Sequence, residues 1–196
     1  MIEVEKKFLL NDKQDLTFLQ NAKFLEEKKI IDIYYDNASF SLTSKNIWLR
    51  SRNGDFELKS SVRADNKILD TYNEITIEKD ILKFLSWGKY KDLKTALSEN
   101  KYQPFCICKT IRKKYKFDDF IIDIDLVDFE DFVFNSLEIE LLVENDKDIE
   151  MATEKIINFA KQNNLAFDQT KGKVIEYLKK VRPAHYQKLV DIGVIK

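Results

Sequence analysis

Histidine and cysteine are nearly missing from this chain. His185 is the only histidine, and Cys106 and Cys108 are the only cysteines. One histidine excludes a His-rich metal centre and leaves little room for a Ser-His-Asp triad. The two cysteines lie two apart in an apolar, strand-like run, so they share a face and are not placed for an ordinary mutual disulfide. We read them as small buried residues of a cytoplasmic protein. Glycine and proline are also scarce, at 4 and 2. No linker, repeat or domain boundary is visible, and residues 1–196 are expected to form a single domain. No apolar run is long enough to span a membrane, and Met1-Ile2-Glu3-Val4-Glu5 is not a signal peptide. A charge excess of one sign is absent too. The net charge is -1 although 34% of the residues are charged, which argues against a nucleic-acid partner. Such a balance suits a site that holds an anion and cations together.

What the chain does have is alternation. Strands are expected near 2–10, 30–36, 46–52, 56–63, 71–79, 104–118, 120–127 and 136–144, and helices near 12–21, 80–99, 149–163 and 171–191. Asn53-Gly54 marks a tight hairpin, and Asp118-Asp119 a second. Neighbouring side chains on a strand point to opposite faces. Glu3, Glu5 and Lys7 therefore share a face, opposite Val4 and Phe8. Trp48, Arg50 and Arg52 share one, as do Glu57 and Lys59, and Arg52 and Lys59 are expected to face each other across the first hairpin. Glu74 lies opposite Ile75. Asp123 and Asp125 oppose Ile122 and Ile124; Glu138 and Glu140 oppose Leu137 and Ile139. An open sheet with one charged face in water explains any one strand. Recurrence over at least six strands, with apolar helices to cover the outside, also fits a closed barrel whose charged faces point inward.

Charges packed inside a barrel must be compensated. Carboxylates among cations can pair or hold Mg²⁺ or Mn²⁺, while Lys and Arg suit phosphate oxygens. A polyphosphate with bound metal satisfies both sets. Lys113, Lys114 and Lys116 exceed what one substrate needs and are expected in solvent. The apolar stretch from Phe129 to Leu137 is long for a hairpin loop.

Glu3-Val4-Glu5-Lys6-Lys7 reads ExExK. In order, it is followed by Tyr34-Tyr35-Asp36, Trp48-Leu49-Arg50-Ser51-Arg52, Glu57-Leu58-Lys59, Tyr72-Asn73-Glu74, Arg112, Asp123-Ile124-Asp125 and Glu138-Ile139-Glu140. This series resembles the CYTH superfamily, the triphosphate tunnel metalloenzymes. Lys173 to Leu178, Arg182-Pro183 and Tyr186-Gln187-Lys188-Leu189 resemble its thiamine triphosphatase branch, as does Trp48 before Leu49-Arg50. The resemblance implies an α+β fold, a closed or nearly closed antiparallel barrel with flanking helices. It implies that Lys7, Arg50, Arg52, Lys59, Arg112 and Lys173 grip a triphosphate, and that Glu3, Glu5, Asp123, Glu138 and Glu140 bind Mg²⁺, with Mn²⁺ a substitute. Tyr34, Trp48 and Glu74 are candidate substrate contacts, Trp48 for a cationic thiazolium; Asp125 is a secondary metal candidate. The expected protein is a monomeric phosphohydrolase of thiamine triphosphate. The alternative is an inorganic triphosphatase or another member acting on tripolyphosphate or nucleoside triphosphates.

Overall fold

The structure is a computed structural model that describes residues 2–10, 16–61, 70–166 and 172–195. Eight strands run in it: β1 (Ile2–Leu9), β2 (Lys23–Asp36), β3 (Ile47–Arg52), β4 (Asp55–Ser61), β5 (Asp70–Ile75), β6 (Gln103–Phe117), β7 (Phe120–Asp128) and β8 (Val133–Val143). They close into a barrel in the order β1-β5-β4-β3-β2-β6-β7-β8. Five α-helices accompany them among the described residues: α1 (Glu78–Phe84), α2 (Leu93–Glu99), α3 (Ile149–Gln162), α4 (Gly172–Val181) and α5 (Pro183–Asp191). The α+β barrel is the fold that the resemblance implies; of the two arrangements the alternation allows, the closed one forms.

Both hairpins form where the turn residues place them. Asn53 and Gly54 take φ of 52° and 102°, the positive pair that a two-residue reversal requires. The Asn53 side chain also accepts a hydrogen bond from the Ile31 N–H at 2.8 Å. At the second reversal Asp118 has φ 51° and Phe117 pairs with Phe120.

Two expected helices are each broken, for different reasons. The region 80–99 splits because Asp92 takes an extended backbone and caps α2, its carboxylate accepting from the Thr95 N–H at 2.8 Å. The region 171–191 splits at Arg182 because Pro183 has no N–H to give to the preceding turn; it starts α5 instead. Of the helix expected near 12–21, residues 12–15 lie outside the described residues, and Thr17–Asn21 forms a short 3-10 turn. Residues 62 and 63 of the expected fourth strand also lie outside them. The strand expected near 71–79 ends at Ile75. Most of the apolar run from Phe129 to Leu137 belongs to β8, leaving a loop closed by the Phe129 N–H on the Phe132 carbonyl at 3.0 Å.

The described residues fall into two compact units. The first comprises those within 1–30, 62–73 and 109–173. In it the apolar faces of β1, β7 and β8 meet one stripe of α3. Val4, Phe8, Ile122, Leu137 and Ile139 are buried with Ala152, Ile156, Phe159 and Ala160, whose spacing of three or four residues puts them on one side of the helix. Each such aliphatic or aromatic side chain stabilises by about 1.5–3 kcal/mol when fully buried. This packing fixes which face of each strand turns outward, and so leaves the charged face inside.

The second unit comprises the described residues within 31–61, 74–108 and 174–196. Here Leu49, Phe56 and Leu58 are covered by Ile81 and Leu82 of α1 and Leu93, Ala96 and Leu97 of α2. Asp36 at the end of β2 organises the next loop. Its carboxylate accepts from the Asn37, Leu42 and Thr43 N–H groups and from the Thr43 hydroxyl, at 2.7–3.1 Å. Having given its one proton to Asp36, the Thr43 hydroxyl accepts from His185 Nε2 at 2.8 Å. The His185 ring stacks on Phe40 with centroids 3.9 Å apart and meets Phe105 edge-on. The only histidine is thus a docking residue of α5.

Burial pushes the His185 pKa down to about 4, with Arg182 adding to the shift and Asp36 opposing it. The unfolded chain therefore takes up a proton near pH 6.5 that the folded chain refuses, and stability held above pH 6.5 is lost as pH falls toward 4. A glutamine at this position can still donate to Thr43. His185→Gln should flatten the decline, with wild type losing up to about 3 kcal/mol more than the variant between pH 6.5 and 4. Urea denaturation at several pH values checks this; equal slopes in the two proteins would refute it.

Candidate active site

Register explains how the inward charges meet. In the first unit β1 pairs with β8, β8 with β7 and β7 with β6. Lys7 stands opposite Glu138, Glu138 opposite Asp123, and Asp123 opposite Lys114. One step along, Glu5 stands opposite Glu140. Glu3 shares the face of Glu5. One oxygen from each of Glu3, Glu5, Glu138 and Glu140 lies within 4.8 Å of the others.

Cations interleave with these carboxylates. The Lys7 ammonium binds Glu5 and lies 3.3 Å from Glu138. Arg112 forks onto Asp125 through Nε and Nη2, both at 2.7 Å, while Nη1 binds Asp123 and Nη2 lies 3.5 Å from Glu138. Lys114 reaches Asp123 at 3.0 Å and Glu140 at 3.7 Å. Lys173 donates to the buried Thr110 hydroxyl at 3.1 Å.

The electrostatics are strongly perturbed. Burial works against the Arg112 charge, but the bond to Asp125 and the charges of Asp125, Glu138 and Asp123 outweigh it and hold the guanidinium well above its ordinary pKa. Burial raises the Asp123 carboxyl; Arg112 and Lys114 pull it down and Glu138 pushes it up. Burial, followed by the charges of Glu138 and Glu3, lifts Glu140 to about 8.

In the second unit the rows run from β2 to β3 to β4. Asp32 faces Arg52, and Tyr34 faces Arg50, which faces Glu57. Arg52 grips the fully buried Asp32 through Nε at 2.8 Å and Nη2 at 3.3 Å. Arg50 binds Glu57 at 2.6 and 2.8 Å, the Tyr34 hydroxyl at 3.2 Å and Glu74 at 3.4 Å. Burial disfavours its charge, yet Tyr34, Asp32 and Glu57 together raise its pKa well above the ordinary value. The Trp48 indole N–H bonds Asn46 Oδ1 at 2.8 Å, and Trp48 stands opposite Lys59.

Glu3, Glu5, Lys7, Arg112, Asp123, Glu138, Glu140 and Lys173 thus gather in the first unit, and Tyr34, Trp48, Arg50, Arg52, Lys59 and Glu74 in the second. Two expectations need correction. Arg52 and Lys59 do not face each other: with only two residues in the turn, Arg52 pairs with Asp55 and Lys59 with Trp48. Lys114 is not in solvent. Two residues after Arg112 on the same strand, it shares that inward face and pairs with Asp123, whereas Lys113 and Lys116 are exposed. Sequence reasoning also passed over Thr110. Asp32 and Glu57, which parity places on the inward faces of Tyr34 and Lys59, are the carboxylates that hold Arg52 and Arg50.

The donor set fits a hard divalent cation. It is made only of oxygens, the chemistry Mg²⁺ and Mn²⁺ prefer. Among the described residues, six carboxylates (Glu3, Glu5, Asp123, Asp125, Glu138, Glu140) meet four cations (Lys7, Arg112, Lys114, Lys173) in the first unit. Carboxylates directly opposite one another, as at Glu5/Glu140 and Asp123/Glu138, are destabilising unless a counter-charge sits between them.

The pattern of the CYTH domain matches residues 1–169. Human thiamine-triphosphatase is 28% identical over 98% of this chain and 91% of its own length. Among solved structures, the PH1819 protein of Pyrococcus horikoshii shares the fold with TM-score 0.61 and 21% identity, over 84% of this chain and 91% of that one. The HpAC1 protein of Hippeastrum, described as having a dominant triphosphatase activity, follows with TM-score 0.57 and 15% identity, over 91% and 94%.

A cation in this cluster must displace the proton that Glu140 holds. The raised pKa means that the metal-free fold loses stability as pH rises from the ordinary carboxylate range through about 8. Mg²⁺ or Mn²⁺ should therefore raise Tm more at pH 8.5 than at pH 6, and calorimetric affinity should strengthen over the same interval. Glu5→Gln and Glu138→Gln, equal in size but uncharged, should remove most of that Tm increment. An increment unchanged in both variants would show that the ion binds elsewhere.

Proposed function

Because the chain belongs to the CYTH domain family, we propose that it is a metal-dependent phosphohydrolase that cleaves the terminal phosphoanhydride of thiamine triphosphate, giving thiamine diphosphate and orthophosphate. The observation that carries this reading is the interleaving of opposed carboxylates with lysine and arginine on inward strand faces. Neither charge set is at ease alone, and a triphosphate with its cation answers both. We take residues 1–196 as one such domain working as a monomer on a small molecule. Cys106 and Cys108 are buried, and we take the setting as cytoplasmic. Among the described residues no helix is long and apolar enough to cross a membrane.

In this reading Lys7, Arg112 and Lys173 in the first unit, and Arg50, Arg52 and Lys59 in the second, neutralise the non-bridging oxygens. Charge spreads there as the phosphoryl group passes to water. The arginines are held by Asp125, Asp32 and Glu57 in forks that orient them before substrate arrives, so little reorganisation remains for the reaction. Glu3, Glu5, Glu138 and Glu140, with Asp123, would hold Mg²⁺, or Mn²⁺ in its place. The bound ion supplies charge neutralisation at phosphate oxygens and a lowered pKa for water. No side-chain nucleophile is required. Tyr34 and Glu74, both on Arg50, shape the phosphate grip. Trp48 offers an aromatic face to a thiazolium cation, about 7 Å along the strand from Arg50.

With Mg²⁺ the protein should hydrolyse thiamine triphosphate in preference to tripolyphosphate and ATP, and excess EDTA should abolish turnover. Arg52→Ala should cost about 2–4 kcal/mol of transition-state stabilisation, read as kcat/KM. Trp48→Ala should raise KM for thiamine triphosphate several-fold and leave tripolyphosphate nearly unchanged, in line with about 0.5–2 kcal/mol for a cation over an indole. Preference for tripolyphosphate in the wild type would move the assignment to an inorganic triphosphatase. Full turnover in EDTA would defeat the metal.

A further inference from the structure

Gly172 and Gly193 have the same backbone conformation, φ +75°, which L side chains rarely adopt. Their surroundings differ. Among the described residues, and apart from chain neighbours and the helix's own backbone, a Cβ built on Gly193 would have nothing within 4 Å; one built on Gly172 would lie 3.0 Å from Lys7 Cδ and 3.3 Å from Lys7 Cε. The backbone explains glycine at 193. At 172 a second demand is present, and among the described residues it comes from the Lys7 stem. That stem leads to an ammonium bound to Glu5 and 3.3 Å from Glu138. The next residue, Lys173, is tied to Thr110, so the start of α4 is anchored beside the stem.

We propose that Gly172 is a positioning residue for Lys7: its missing side chain is the gap through which the lysine stem passes, so that the ammonium is delivered among Glu5 and Glu138. A methyl at 172 would meet flexible methylenes rather than backbone. The fold can yield there by moving the lysine, and the lysine's aim is what is lost. The consequence for substrate rests on the reading of Lys7 as a phosphate-gripping residue.

Gly193→Ala isolates the backbone strain, and Lys7→Ala removes the stem. Gly172→Ala and Gly193→Ala should lower Tm by similar amounts. Only Gly172→Ala should weaken calorimetric binding of tripolyphosphate, by tenfold or more, and in the Lys7→Ala background the same change should weaken it less than twofold. A crystal structure of Gly172→Ala should show Lys7 Nζ displaced from Glu138. If Gly172→Ala does not fold, Gly172→Asn, better tolerated at positive φ, takes its place in every arm. An equal loss of binding in both Lys7 backgrounds, or an unmoved Nζ, would overturn the proposal. Should the protein cleave no triphosphate, the functional reading falls while the position of Nζ still decides the role of Gly172.

Discussion

Like charges set opposite each other on neighbouring strands are the constraint around which this barrel is organised. Glu5 stands directly against Glu140 and Glu138 against Asp123 across neighbouring strands, where two ionised carboxylates repel. Such pairs stay on a buried face only if a proton is retained, as Glu140 favours, or cations are supplied from elsewhere. Here the next strands supply some of them: Lys7 comes from β1 and Arg112 and Lys114 from β6. The helices make the arrangement binding, because α3 takes the apolar faces of β1, β7 and β8 and a one-residue slip would expose that core. The second unit follows a different rule. Its carboxylates and guanidiniums pair nearly one to one, as Asp32 with Arg52 and Glu57 with Arg50. Among the described residues the first cluster holds six carboxylates with four cations, whereas the second orients its arginines on paired carboxylates.

The period-two pattern was enough to place the strands and their inward faces, because each strand alternates charge with apolar residues over several steps. Asn53-Gly54 and Asp118-Asp119 fixed two reversals, since few other residues accept positive φ. The acidic cluster was legible for the same reason: Glu3, Glu5, Glu138 and Glu140 obey parity on two strands that turn out to be adjacent. What the sequence hid was competition between local and tertiary terms. The spans 80–99 and 171–191 each read as one helix, without showing that Asp92 caps one piece and Pro183 starts another. Lys114 was set aside as one of several lysines in a charged run, although parity with Arg112 put it inside. Cross-strand partners also depend on turn length: counting two residues for the turn pairs Lys59 with Trp48 rather than with Arg52.

The hydrogen bond between Thr43 and His185 spans 142 residues of sequence. A ribosome emits a chain from its N-terminus at about 5–20 residues per second, so Thr43 waits on the order of ten seconds for its partner. Asp36 can gather its own loop during that interval, because every other group it holds lies within seven residues. The ring of β1 and β8 has the same character, since Ile2 pairs with Val143. Both late contacts are non-local, and non-local closure slows folding. Until β8 emerges the ring cannot close, and neither Glu5 nor Asp123 meets the carboxylate that later stands opposite it. The opposed carboxylates thus meet only at closure, and α5, which follows β8 in the chain, docks through His185 later still.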